Sequence, residues 1–287
     1  MARILPLRHD VSIDLFFSGN NFVLQKWEIP SSDITLCDEE SLGGNGVFTY
    51  VLKAKYTGTK FPEYTGKIVV AKQLNQKAVR DEALNRFADI ALSDSYRDKT
   101  LVHVLGIEWS EASPYIIVEH MQSSVQKRLR ELDSFRRKYV KIFAKGVAAG
   151  LTFLHTRDPP QPHGRLSSSN VLFNHGSGND DVCDIKLDDC YFRELISHTS
   201  VSGKHYIAPE VERSKKPTLK GDIYSFGVLL AEMYTNKENP SSPDGKRALA
   251  QTKWTDLKDL IAQCTDKSEA KRPTIQEVNE MLEKLMD

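Results

Sequence analysis

The stretch Gln161-Pro162-His163-Gly164-Arg165-Leu166-Ser167-Ser168-Ser169-Asn170-Val171-Leu172 is the point from which this chain is read. A long amphipathic pattern precedes it over 135–155, with Phe143, Val147, Leu151 and Leu154 at helical spacing. Asp158-Pro159-Pro160 stops that helix, because the residue before a proline avoids the α region. The cation of the stretch is Arg165. A guanidinium has donors only and does not lose its proton in proteins. A second polar stretch, Asp184-Ile185-Lys186-Leu187-Asp188-Asp189-Cys190, follows shortly after.

Working back toward the N-terminus, Tyr115-Ile116-Ile117-Val118-Glu119-His120-Met121 reads as a strand and its exit. Leu101-Val102-His103-Val104-Leu105-Gly106 reads as another strand. Residues 79–94 read as a helix, with Leu84, Phe87, Ile90 and Ala91 at helical spacing. The run Lys67-Ile68-Val69-Val70-Ala71-Lys72-Gln73-Leu74 reads as a buried strand carrying Lys72. By itself, such a lysine is more often just a strand-end charge. Before it, Leu42-Gly43-Gly44-Asn45-Gly46-Val47-Phe48-Thr49-Tyr50-Val51 is a glycine-rich hairpin, in which glycines permit positive φ and let backbone amides approach an anion. Val11, Ile13, Leu15 and Phe17 alternate as in a short strand, and Trp27 opens the run Trp27-Glu28-Ile29-Pro30-Ser31-Ser32-Asp33-Ile34.

Working forward, Gly203-Lys204-His205-Tyr206-Ile207-Ala208-Pro209-Glu210 precedes the apolar run Lys220-Gly221-Asp222-Ile223-Tyr224-Ser225-Phe226-Gly227-Val228-Leu229-Leu230-Ala231-Glu232-Met233. Cys264 leads to Lys271-Arg272-Pro273-Thr274, and a helix over 275–285 closes the chain. With 287 residues there is enough chain for one sizeable two-lobed unit. Lys+Arg and Asp+Glu are both 39, so no global field points to nucleic acid or to a membrane surface. Cys37, Cys183, Cys190 and Cys264 form no close pairs and read as reduced thiols of an intracellular protein. The apolar runs are too short for a membrane span, and no secretory signal opens the chain.

Pattern alone gives an α+β chain, strands first and helices after. The stretches in their order resemble the protein kinase superfamily, and within it the tyrosine-kinase-like and tyrosine kinase branch. The resemblance covers roughly residues 27–287. It implies a bilobal fold, with a small lobe of mostly antiparallel sheet plus one helix and a mostly α-helical large lobe. The division it implies is an N-terminal extension over 1–37, a small lobe over 38–121 and a large lobe over 122–287.

The same resemblance assigns roles. Gly44 and Gly46 stand in the phosphate-covering loop, with Thr49 in place of its third glycine. Lys72 matches the phosphate-contacting lysine, and Asp89, or less well Glu82, its acidic partner on the small-lobe helix. Val51, Val70, Val118 (the gatekeeper) and Leu172 would line an adenine pocket. Backbone groups of Glu119 and Met121 would meet the base. Asn170 and Asp188 match the magnesium ligands, both with oxygen donors that suit this ion beside phosphates. His163, Asp222 and the Glu210–Arg272 pair match structural positions.

The departures decide the function expected. Arg165 occupies the position of the catalytic aspartate, so no catalytic set is intact. Gly164 replaces the neighbouring arginine that commonly receives an activating phosphate. Asp189 replaces the phenylalanine after Asp188. A buried unpaired carboxylate costs several kcal/mol, so Asp189 is expected to face solvent or to find a cation such as Arg165. Ser93 is polar where the adjoining apolar stack expects a hydrophobe. These features imply a pseudokinase that binds ATP and magnesium and acts as an allosteric signalling regulator or scaffold. The alternative is a weakly active or unconventional protein kinase. A third reading is an interaction domain with a closed pocket. The partner implied is another signalling protein, an active kinase or a receptor, in the cytoplasm.

Overall fold

A computed structural model describes residues 27–37, 48–74, 91, 97–109, 114–131, 137–176, 182–191 and 203–286. Gly44, Gly46, Asp89, Glu82, Ser93 and the strand expected over 11–17 lie outside the described residues. Of the helix expected over 79–94, Ala91 is described, and it is helical and buried.

The small lobe is a five-stranded sheet of β1 (Ile34–Leu36), β2 (Phe48–Tyr56), β3 (Ile68–Leu74), β4 (Val104–Glu108) and β5 (Tyr115–Glu119). Their order is β1-β2-β3-β5-β4, every pairing antiparallel. Strand side chains alternate between faces. In β3, Val69 and Ala71 therefore enter a small cluster with Ile29, Tyr56, Phe61, Leu105 and Ile117. Val70 and Leu74 enter the large cluster that continues into the other lobe. Lys72 shares the parity of Val70 and Leu74, so the alternation that builds the sheet turns its ammonium toward the lobe junction. The β2–β3 register shifts between Phe48 and Tyr50, which puts Thr49 at a bulge. A bulge reverses parity, and Phe48 joins Val51 on the face of the large cluster.

Two sequence boundaries move. The strand expected over 101–106 is β4 at Val104–Glu108. Residues 100–102 instead bind the large lobe: Val102 N–H donates to the Leu187 carbonyl (2.9 Å), and Leu187 N–H to that of Thr100 (2.8 Å). The segment assigned to an N-terminal extension supplies β1, and Glu28 bridges Ile107. Gly106 makes room for that second contact, since a Cβ there would fall 2.3 Å from the Trp27 carbonyl oxygen.

The large lobe carries β6 (Ser123–Ser124), β7 (Val171–His175) and β8 (Val182–Leu187) as a three-stranded sheet. Its helices are α1 (Val125–Glu131), α2 (Arg137–His155), α3 (Pro209–Ser214), α4 (Leu219–Thr235), α5 (Pro243–Ala250), α6 (Thr255–Cys264) and α7 (Ile275–Met286). The expected stripe of α2, Phe143, Val147, Leu151 and Leu154, is buried. Helix α4 is buried almost all round, from Gly221 to Met233, apart from Tyr224. A helix of that kind belongs at the centre of a lobe rather than on its surface. Its first turn is capped by Thr218, whose Oγ1 accepts from Gly221 N–H at 2.9 Å. No described helix is long and apolar enough to cross a membrane.

Candidate functional site

Strand β3 delivers Lys72 to the lobe junction, and the turn after β8 delivers Asp188 and Asp189. Lys72 Nζ donates to Asp188 Oδ2 at 2.7 Å and to Asp189 Oδ1 at 2.8 Å. All three side chains are almost wholly removed from solvent. The Phe48 ring lies 5.5 Å from the ammonium, within cation–π range. Arg165 completes the group, with Nε 3.8 Å from Asp189 Oδ2. Two buried cations thus face two buried carboxylates, and the formal charges cancel.

That balance explains the titration behaviour. Burial penalises the Lys72 ammonium, but the two carboxylates outweigh it and raise its pKa. Burial and the adjacent Asp189 push Asp188 up, against the pull of Lys72. For Asp189, Lys72 and Arg165 overcome the cost of burial and hold the carboxyl below the usual range. Asp189 is therefore the charged anchor of the group. It has φ +66°, a conformation that aspartate tolerates better than a bulky aromatic does. The choice posed by the sequence is resolved by a cation, with Lys72 as the closer partner and Arg165 as the farther one.

The loop 161–172 is fixed from below by α4. Asp222 Oδ2 accepts from His163 N–H (2.7 Å) and His155 Nε2 (2.9 Å), and Oδ1 accepts from Gly164 N–H (2.8 Å). Gly164 has φ +76°, so the exchange of arginine for glycine here suits a left-handed turn. Arg165 N–H donates to His163 Nδ1 at 3.1 Å. Burial drives the His163 pKa down to about 4, so the ring is neutral near neutrality. Asn170 Nδ2 donates to the Arg165 carbonyl (2.8 Å), and the Asn170 carbonyl accepts from Asp188 N–H (2.9 Å). The two expected metal ligands are thereby tied side by side.

Val51, Val70, Val118, Met121 and Leu172 come together in the large apolar cluster, and Val70 stands directly across from Val118 between β3 and β5. The Glu119 side chain accepts from Lys186 Nζ and from His103 N–H, both at 2.7 Å. Glu210 receives Arg272 through two parallel hydrogen bonds of 2.6 and 2.8 Å. Arg272 also donates to the carbonyls of Lys220 and Asp266.

Two buried features had no strong signal in the sequence. Glu232 accepts from Tyr206 Oη and from Ser168 Oγ, joining α4 to the loop. Burial lifts its pKa to about 8. The second is Asp189 as a partner of Lys72. Its signal was the acidic doublet itself, but the doublet did not say which cation it meets.

The site residues fit a magnesium nucleotide in kind. Apolar side chains, a lysine and a pair of oxygen donors are the kinds of group that a magnesium nucleotide requires, and Lys72, Asp188 and Asn170 are held close together. Among the described residues no cluster of three or more His, Cys, Asp or Glu could hold a metal by protein ligands alone. Asp189 is the misfit, a second carboxylate on Lys72, the residue expected to meet phosphates.

Comparison with known proteins gives a consistent assignment. A family model described as protein tyrosine and serine/threonine kinase matches residues 38–282. The serine/threonine-protein kinase CDG1 of Arabidopsis thaliana is 31% identical over 209 residues, 69% of this chain and 46% of that one. The serine/threonine-protein kinase CTR1 of the same plant is 31% identical over 215 residues, 71% of this chain and 25% of that one. A probable inactive receptor kinase, RLK902, also from Arabidopsis thaliana, is 33% identical over 114 residues, 39% of this chain and 17% of that one. The chain spans less than half the length of each of these curated relatives.

Proposed function

This chain belongs to the protein tyrosine and serine/threonine kinase family, on its tyrosine-kinase-like side, and we propose that it serves as a pseudokinase. In this reading it regulates or scaffolds a signalling partner and transfers little or no phosphate. The observation that carries the reading is Arg165. It occupies the position of the proton acceptor, carries no acceptor atom, and is paired with Asp189. Loss of a positioned general base typically costs about 10²–10⁴ in rate.

Nucleotide binding belongs to the proposal as its regulatory input. Val51, Val70, Val118, Met121 and Leu172 would take the adenine, with Glu119 and Met121 meeting its edge through the backbone. Lys72 would meet the phosphates, and Asn170 with Asp188 the magnesium. ATP and its ion would supply a cluster of charge at the lobe junction. For the phosphates to reach Lys72, the ammonium must give up contacts with Asp188 and Asp189. The lobes are thus poised between a self-neutralised state and a nucleotide-bound one, and a partner that prefers either state would shift the balance.

Thermal unfolding with and without Mg-ATP tests this input. A ligand at about 100 times its dissociation constant adds about 2.7 kcal/mol of stability. A rise in Tm that is lost in Lys72→Met is the expected result. No shift at millimolar Mg-ATP would leave the interaction domain with a closed pocket. A second reading, a weakly active or unconventional kinase, draws on the survival of Lys72, Asn170 and Asp188. It differs in requiring turnover that both Lys72→Met and Asp188→Asn abolish.

A further inference from the structure

Arg165 has a second environment. It lines a cavity bounded by the loop 164–170, the turn at 206–208, α3 and the start of α4, with Lys215, Pro217 and Thr218 at one side. The Arg165 side chain is only 8% exposed, and its Nε has no hydrogen-bond partner. Asp189 lies at 3.8 Å, near enough for an ion pair but not for a hydrogen bond. A buried guanidinium N–H without an acceptor is a costly arrangement that an anion would relieve.

The cavity's other polar groups are consistent with an anion. Ser167 and Ser169 share a hydrogen bond between their hydroxyls (2.9 Å), and Ser169 Oγ also donates to Asn170 Oδ1 (3.5 Å), so both of these protons are already engaged. Thr218 Oγ1 accepts from Gly221 N–H, so its own proton remains to be donated. Lys215 is exposed on the lining. Two carboxylates also belong to the lining, Asp222 and Glu212. Asp222 is buried and already accepts three hydrogen bonds, two of them from the loop backbone. Glu212 is exposed, where water screens it.

We propose that this cavity binds a phosphorylated side chain presented by a partner peptide. Arg165 is the principal donor to the phosphate, Lys215 supplies charge at the mouth, and the Thr218 hydroxyl completes the set. Replacing an acceptor by a guanidinium converts a place for a neutral hydroxyl into one for an anion, and arginine suits phosphate monoesters through paired donors. The chain would then read phosphorylation without performing it. The inference goes beyond the proposed function. It depends on the cavity and on Arg165, not on whether nucleotide binds.

The test is fluorescence anisotropy on nucleotide-free protein at fixed salt. The probes are labelled degenerate peptides containing phosphoserine, phosphothreonine or phosphotyrosine, with their unphosphorylated counterparts. At least one phosphorylated set is expected to bind about tenfold or more tightly than its counterpart. Arg165→Ala should abolish that preference while Tm shows a folded chain, and Lys215→Glu should weaken it. Equal binding of phosphorylated and plain peptides would overturn the proposal. So would a preference that survives in folded Arg165→Ala. If Arg165→Ala does not fold, Lys215→Glu at the exposed mouth decides, and an unchanged preference there counts against the site. Inorganic phosphate as competitor checks that the phosphate itself is what the cavity holds: displacement at millimolar phosphate supports the anion site, and no displacement contradicts it.

Discussion

Residue 189 shows how one side chain redirects a site. A phenylalanine there would be neutral and would leave Lys72 to other partners; aspartate brings a charge that Lys72 and Arg165 hold in its ionised form. The same charge opposes incoming phosphates at close range and low dielectric. Asp189→Ala is therefore expected to tighten Mg-ATP binding by about tenfold or more, measured by calorimetric titration; unchanged or weaker binding would mean that Asp189 does not compete. His163 supports a pH prediction. Its folded pKa is about 4 against an ordinary 6.5, because burial disfavours the imidazolium. Below 6.5 the unfolded chain gains a proton that the folded chain refuses, so stability is lost as pH falls from 6.5 toward 4, by about 3 kcal/mol in all. His163→Phe should give a shallower fall than the parent across that window in urea unfolding, even if it starts less stable at pH 7. Much of this was legible from residue types. The loss of an acceptor at Arg165 needs only the chemistry of a guanidinium. That Asp189 needed a cation also followed from burial cost, but which cation it found depended on the path of the turn after β8, which spacing does not specify.

At the scale of elements, apolar runs and helix stripes carried most of the reading. The buried run of β3 and the stripe of α2 needed no long-range information, and both stand as the pattern implies. The boundary at β4 did not. Leu101 and Val102 are as apolar as strand residues, yet they bridge to β8 in the other lobe, and local pattern cannot tell one apolar partner from another. The contribution of residues 27–29 and of β1 to the sheet was hidden for the same reason. Gly106 marks that contact. Gly106→Ala places a methyl against the Trp27 carbonyl and is expected to cost about 1–3 kcal/mol, read as a fall in Tm; no fall would show that the segment 27–29 contributes little to stability. A second element-level prediction concerns the joint of α3 and α4. Arg272→Met leaves Glu210 without its bidentate partner and removes the donations to the Lys220 and Asp266 carbonyls, and should cost about 3–5 kcal/mol in urea unfolding.

Across the whole molecule, family membership and fold are the firm part, because many short motifs fall in one order over 245 matched residues, 38 to 282. The proposed function turns on a smaller set of groups at the lobe junction, where Lys72, Arg165, Asp188 and Asp189 form a charge-balanced quartet. This arrangement predicts that restoring the lost acceptor is insufficient. Arg165→Asp would add a third carboxylate near Lys72 and remove a compensating cation, so turnover should stay near the parent level. The most direct test of the account is transfer of labelled terminal phosphate from Mg-ATP to a generic protein substrate by the pure chain. The account predicts transfer no greater than that of the Lys72→Met variant. Robust transfer that disappears in both Lys72→Met and Asp188→Asn would contradict it.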